Sequence, residues 1–518
     1  MRLPAHVVAI LAVAAPGGCS SSTPSGGGSD GGGGGTTTTS STTTGAGGLG
    51  GSGVSDAQGA SSGGVGAGGA SAGHGGHTGA GGQVDAGRDT SAQGTLALTT
   101  TSCPPATQGQ AYSCTLAASG GTSPYTFSVV SSPSYAPLPE GMALDGTTGV
   151  IASSLVGGQG TYGVQFQVSD ATSHTATATI TFAIAGSNAF LASIFPSGSI
   201  FHHRVDAAST GLPVDTSPAA PIYSDYLSSN IRVFFGNADY LNLPNGIPAI
   251  AVPGDQPDVP VATTQYQSYF TAGPIPPYAP VEGTSVSVAG GGDGHVLVYV
   301  EGAGGTPPAL YEMWQGIYLG AKGWTDSSNA TWSDVTSNAL TPQGNGTTDE
   351  AGLPVAPLLV NADEVIGAGT ANAPSGVVQH PIRFTTNHTL NYWVWPATET
   401  AGVGSCSGIA TGNLLSQSTP PSSCTFSGVP GEIYRLKASA ATPSCASTSP
   451  QANIIITGFR NYGIILADNG ETGGLIGTPD SRWNDDDLSC LTKISLADFE
   501  PVNVSSLMVS SDSGATVR

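Results

Sequence analysis

Between residues 20 and about 95 the chain is built from Gly, Ser, Thr and Ala, with almost no bulky side chain. Such a segment cannot bury enough apolar surface to offset the entropy of ordering its backbone, so it is expected to stay disordered. It sets the organisation of the rest, because whatever folds must lie beyond it. About 75 residues of this composition reach roughly 50 Å r.m.s., which suits a stalk. The stretch also shows how little an isolated motif means. Gly69-Ala70-Ser71-Ala72-Gly73 satisfies the G-x-S-x-G pattern of a nucleophile elbow, which needs a strand before it and a helix after it. Neither can form here. His74 and His77 are read as solvated linker rather than metal ligands.

Ahead of the stalk, Met1-Arg2 supplies a positive charge and residues 7–15 (VVAILAVAA) form a short apolar run, the layout of an export signal. Gly17-Gly18-Cys19 resembles a bacterial lipobox, with Pro16 where that motif usually has Leu, and Ser20 resembles the outer-membrane sorting pattern. The resemblance implies a signal peptide over 1–19, a lipid on Cys19, and anchoring at the cell surface or outer membrane. The alternative is an ordinary cleaved leader and a secreted chain. Setting Cys19 aside leaves Cys103, Cys114, Cys406, Cys424, Cys445 and Cys490, an even set in an exported chain, where disulfides persist. Connectivity stays open on sequence alone; the economical pairing joins nearest neighbours, 103–114, 406–424 and 445–490. Closing the first of these loops contributes about 3 kcal/mol by chain entropy. No C-x-x-C pair exists, so zinc is not expected. With 12 Lys+Arg against 34 Asp+Glu and a net charge of −22, nucleic acid and anionic lipid headgroups are poor partners. Neutral glycans, metal ions and cationic ligands remain open.

From 96 to 186 the apolar period becomes two. In residues 175–184 (TATATITFAI), Ala176, Ala178, Ile180, Phe182 and Ile184 fall on one face and the threonines on the other. Residues 162–168 alternate likewise, and 112–116, 125–130 and 150–152 supply further short strands between turns. The spacing predicts a β-sandwich. The runs Leu138-Pro139-Glu140-Gly141-Met142, Thr148-Gly149-Val150, Gly160-Thr161-Tyr162 and Val168-Ser169-Asp170 resemble the putative-Ig, cadherin-like repeats of bacterial surface proteins. Some cadherin-like relatives bind calcium, for which Glu140, Asp145 and Asp170 are the available donors here. The paired-acid calcium motifs are missing, so solvated turn carboxylates are the favoured reading. The resemblance implies a spacer or adhesion module.

Residues 187–518 hold all six tryptophans, with strand-like runs at 231–235, 296–300, 382–385 and 391–394. One helix is legible: Ser449 as N-cap, Pro450 at the first position, Ile455, Phe459 and Tyr462 on one face, and Gly463 as the stop. The whole chain is thus expected to be mainly β, an Ig-like sandwich followed by a larger jelly-roll-like or sandwich domain with a few short helices. The last region resembles a family of exported bacterial proteins of no established activity. The matching stretches include residues 212–215 (LPVD), 280–283 (PVEG), 293–298 (DGHVLV), 310–312 (LYE), 349–354 (DEAGLP), 363–365 (DEV), 380–384 (HPIRF), 435–438 (RLKA), 462–470 and 482–486 (RWNDD). Thr398 and Glu399 stand where that family has Arg and His, which weakens any role for that corner.

Those stretches are rich in acid–base groups. A glycosidase needs two carboxyl groups flanking one bond, about 5 Å or about 6.5–9.5 Å apart, with one kept protonated. The candidate assignment is Glu364 or Asp349 as acid, Asp468 as base or nucleophile, and His380 with Arg383 orienting substrate. His295, Glu312 and Trp483 are candidate substrate contacts, since sugar rings stack on aromatic faces. Each has a plainer alternative: His380 and Arg383 in a buried polar network, Asp468 in a turn, residues 485–487 (DDD) in an acidic loop rather than a calcium cluster. Two functions therefore stand at this level, hydrolysis of an extracellular polysaccharide or non-catalytic adhesion to a cell-surface glycan. No placed elbow and no H-E-x-x-H motif support a lipase or zinc protease. The leader makes a direct prediction. Mass spectrometry of the mature N-terminus should find a lipidated Cys19, and Cys19→Ala should release the protein from membranes; an unmodified N-terminus would refute the anchor.

Overall fold

The computed structural model describes residues 94–132, 135–216, 229–237, 239–240, 243–283, 293–387, 389–402, 412–413 and 428–517, all within the compact unit Gly87–Arg518. Cys19, Cys406 and Cys424, the leader and most of the stalk lie outside them. Among the described residues no helix is long and apolar enough to cross a membrane.

Strict alternation builds the first domain. Strand Thr175–Ala185 exposes its threonines and buries Ile180, Phe182 and Ile184, as the period-two pattern predicts. It pairs antiparallel with Gly160–Ser169 along its length, and Thr126–Val129 and Ala106–Thr107 complete a four-stranded sheet. The Ala106–Thr107 strand runs parallel to Thr175–Ala185, with Gln108 N donating to Ala185 O at 2.7 Å. A second sheet of Tyr112–Thr115, Val150–Ser153 and Ala143–Leu144 closes over Tyr112, Leu116, Ile151, Val164, Phe166 and Phe182. The Cys103–Cys114 bridge ties the entry to this sheet, and Cys445–Cys490 staples the later domain; both are the expected nearest-neighbour pairs. Asp145 and Asp170 are spent on their own turns, Asp145 accepting from Thr147 N and Thr148 N, and Asp170 from Thr122 N, Thr172 N and His174 N. Among the described residues no group of three or more His, Cys, Asp or Glu converges to hold a metal.

The larger domain is also mainly β, with mixed pairing. Its six-stranded sheet has the order Arg232–Phe234, Gly474–Ile476, Ile382–Thr386, Ile464–Asn469, Ile433–Leu436, Phe499–Pro501. Ile382–Thr386 and Ile464–Asn469 run parallel, as do Arg232–Phe234 and Gly474–Ile476. Parallel strands covered on both faces show no alternation, and Ile464-Ile465-Leu466-Ala467 is such a run, buried throughout. Ile464 and Leu466, with Ile382 and Phe384, meet helix Pro450–Asn461 through Ile455, Ile456 and Phe459. Pro450 opens that helix, Tyr462 caps it and Gly463 follows with a left-handed φ of 83°. Ile433, Ile465 and Ala467 point the other way, into a core shared with Leu297, Tyr299, Leu310 and Trp332. Those residues belong to a second sheet, Ala249–Val252, Val296–Val300, Ala309–Trp314 and Ser328–Trp332. Its opposite face, Val296, Val298, Ile250 and Met313, packs on Val261, Ile275 and Trp324 of a third layer. The order is helix, sheet, sheet, sheet.

The Ig-like domain is seated on this stack. Thr161 Oγ1 donates to Asn237 Oδ1 at 3.0 Å, and Gln108 Nε2 to Ala249 O at 3.4 Å. Backbone meets backbone at Gly157, where an added Cβ would stand 1.9 Å from Tyr278 O and 3.0 Å from Glu140 Cβ. Gly157→Ala should therefore destabilise the protein by about 1–3 kcal/mol. Gly198→Ala, whose new methyl meets nothing within 4 Å, should shift stability by less than about 0.5 kcal/mol. Urea unfolding of the two variants beside wild type checks this; equal midpoints would mean the seam yields freely.

Candidate functional site

The core between the first two sheets gives way at one end to polar groups. His295 precedes strand Val296–Val300 and shares a face with Leu297 and Tyr299, so it looks into that gap. Its Nδ1 lies 2.7 Å from Glu282 Oε2 and its Nε2 3.1 Å from Thr348 O. Both partners can only accept, so both ring nitrogens carry protons and the buried ring is an imidazolium. Burial pulls the His295 pKa down, but the Glu282 carboxylate outweighs it and raises the value to about 9. Glu282 also accepts from the Asp293 and His295 amides.

Glu312 lies on the same face of the adjoining strand Ala309–Trp314 and is fully buried. Its Oε1 accepts from Ala356 N at 2.9 Å, and its Oε2 from Val355 N and Thr348 Oγ1, each at 3.1 Å. This expected substrate contact has both oxygens occupied by the protein. It fastens both ends of the 348–356 loop, satisfying amide donors that would otherwise be buried unpaired.

That loop delivers the central carboxylates. Ala351 N donates to Ala467 O at 3.0 Å, which lays residues 349–351 against strand Ile464–Asn469. Gly352 turns the chain with φ at 69°, where a Cβ would stand 2.2 Å from Thr398 Oγ1. Asp349 Oδ2 then accepts from Arg383 Nε at 3.0 Å, while Asp468 Oδ2 accepts from Arg383 Nη2 at 2.5 Å. A register shift between Phe384 and Thr385 sets Asp468 abreast of Thr385, the kind of bulge that re-aims a side chain. The buried guanidinium is thus held by one carboxylate from a loop and one from a neighbouring strand. Burial pushes the Asp349 carboxyl up to about 7, against the pull of Arg383 and with the push of Asp468.

Glu350, which the sequence reading passed over, completes the group. Its Oε1 lies 2.8 Å from Thr389 Oγ1 and 2.6 Å from Thr400 Oγ1, and its Oε2 has no partner. Thr400 Oγ1 is also 2.7 Å from Leu390 O. Both threonine hydroxyls donate to this carboxyl oxygen. Burial raises its pKa to about 8, offset in part by Thr400 and reinforced by Asp468.

The remaining candidates lie elsewhere. Glu364 sits at the third position of helix Ala362–Ile366 in a capping box with Asn361. Both its carboxylate oxygens are 3.1 Å from His380 Nε2, and His380 Nδ1 is 3.0 Å from Pro381 O. This buried pair bonds within itself and to its own helix, so His380 shares a polar network with Glu364 rather than with Arg383, and neither residue contacts Asp349 or Asp468. Trp483 is a core residue: its ring packs on Phe235 at 5.1 Å and its Nε1 donates to Thr478 O. It presents no open face to a sugar. Asp485, Asp486 and Asp487 form the first turn of helix Asp485–Leu488, capped by Asn484, where the helix dipole favours negative charge.

Residues 94–185 match the protein-family model described as "Putative Ig domain". The match covers the first sandwich and none of the Arg383 cluster. No curated protein matches the chain.

The protonation states predict a pH dependence. His295 moves from an ordinary 6.5 to about 9 and Glu350 from 4.5 to about 8, so both bind protons more tightly when folded. Their stabilisation is complete below the unfolded values and is lost as pH rises through the folded ones. Calorimetry should show the unfolding temperature falling between about pH 4.5 and pH 9, and Glu350→Gln should flatten the decline below about pH 8. A pH-independent midpoint would contradict these assignments.

Proposed function

We propose that the protein is an exported, lipid-anchored surface protein whose C-terminal domain hydrolyses an extracellular glycan at the Arg383 cluster, with the Ig-like domain as its spacer or adhesion module. One observation carries the reading. Glu350, a buried carboxyl whose value burial raises to about 8, adjoins Asp349 on Arg383 and feels Asp468, a partly exposed carboxylate held on the same guanidinium. Two carboxyl groups whose surroundings separate their protonation are what glycoside hydrolysis requires. In this scheme Glu350 donates the proton to the leaving oxygen. Asp468 acts on the anomeric carbon or on the attacking water, and Arg383 with Asp349 positions Asp468. His295, fixed as a cation by Glu282, braces the loop through Thr348.

The Ig-like match favours a second reading, non-catalytic adhesion to a glycan. One assay separates the two. The mature protein is offered a panel of polysaccharides, and both retention and release of reducing ends are measured. Glu350→Gln and Asp468→Asn should each lower product release by at least about 100-fold, with the circular dichroism spectrum retained, and Glu364→Gln should leave it near wild type. Retention without product across the panel removes the hydrolase and leaves the adhesin.

A further inference from the structure

Trp324, Trp332, Trp395 and Trp483 are buried and offer nothing to a ligand. Trp314 is different. It is half-buried at the end of strand Ala309–Trp314, and Tyr266, 64% exposed, leans over it with ring centroids 5.9 Å apart and planes at 42°. We propose that Tyr266 and Trp314 form the stacking subsite of the glycan site, and that the polysaccharide accepted is neutral or amino-sugar rather than anionic. This rests on the glycan reading above and names the substrate class it implies.

Three observations support the assignment. First, the rings are mounted on one residue: Tyr266 N donates to Ser327 O at 2.8 Å and Ser327 N to Trp314 O at 2.9 Å. An aromatic pair held by backbone bonds, Tyr266 exposed and Trp314 half-buried, is a rigid platform that loses little entropy on binding. Second, a polar side chain borders the rings: Gln315, half-buried, accepts from Ser327 Oγ at 2.6 Å. Gln315 holds a left-handed φ of 56°, a strained geometry for a residue with a side chain. Third, the platform is continuous with the cluster. Gln315 N donates to Asp293 O at 3.2 Å, and Gly316 N to Gly294 O at 2.8 Å. Burial raises the Asp293 carboxyl, which also feels the charges of His295, Glu282, Asp468 and Arg383. A sugar stacked on the rings therefore borders Asp293 on the way to Asp468. With Asp293, Asp468, Asp349 and Glu282 against Arg383 and His295, the carboxylates outnumber the cations. Their field repels uronates and sulfated sugars and tolerates neutral or amino-bearing rings.

The test is calorimetric titration of the mature protein with neutral oligosaccharides (cello-, xylo- and manno-), chitosan oligomers and oligogalacturonate. Binding is expected for a neutral or amino-sugar class and not for oligogalacturonate. Tyr266→Ala and Trp314→Ala should each weaken it by about tenfold or more, whereas Tyr266→Phe retains it. Tyr266 is exposed, so its variants should keep the wild-type unfolding midpoint. Preference for the anionic oligomer, no binding by any neutral or amino-sugar probe, or wild-type affinity in Tyr266→Ala overturns the subsite. Ring-dependent binding without turnover removes the hydrolase and leaves the subsite standing. Turnover with KM unchanged in Tyr266→Ala does the reverse.

Discussion

The C-terminal domain turns on a buried guanidinium shared by two carboxylates. Taking Arg383 out of water is costly, and the cost is recovered only while Asp349 and Asp468 both remain on it. One belongs to a loop and the other to a parallel strand, so the ion pairs also fix where that loop meets the sheet. Glu312 fastens the same loop from the facing sheet, and His295 does so through Thr348 O. Residues 347–356 are thereby bolted from both layers, and Glu350 is carried at the centre of the bolted segment.

Much of this was legible in the sequence, for identifiable reasons. Alternation in residues 175–184 can mean only a half-buried strand, and Ser449-Pro450 with Gly463 brackets one helix in two independent ways. The cysteines found their nearest neighbours within each domain, 11 residues apart in the sandwich and 45 apart between two short helices of the larger domain. Parallel pairing was not legible. Ile464 to Ala467 carries no alternation, because helix and sheet cover opposite faces of the strand. Nothing in such a run names its neighbour.

The site divided the same way. Asp349, Arg383 and Asp468 were chosen for their chemistry and do converge, although they are 34 and 85 residues apart along the chain. Glu364 and His380 were chosen by the same rule and form a pair of their own, because Asn361-x-x-Glu364 is a capping signature that claims its glutamate for a helix start. That signal was available. Glu350 was missed although it adjoins Asp349. Only the three-dimensional position of Thr389 and Thr400 distinguishes it from any other loop glutamate.

The Cys103–Cys114 bridge has a mechanical consequence for the parallel pairing of Ala106–Thr107 with Thr175–Ala185. The first strand of that sheet lies beside the last, both running in one direction. Tension entering from the N-terminal side reaches Cys114 through the Cys103–Cys114 bridge, so residues 104–113, that short strand among them, are shielded from the load.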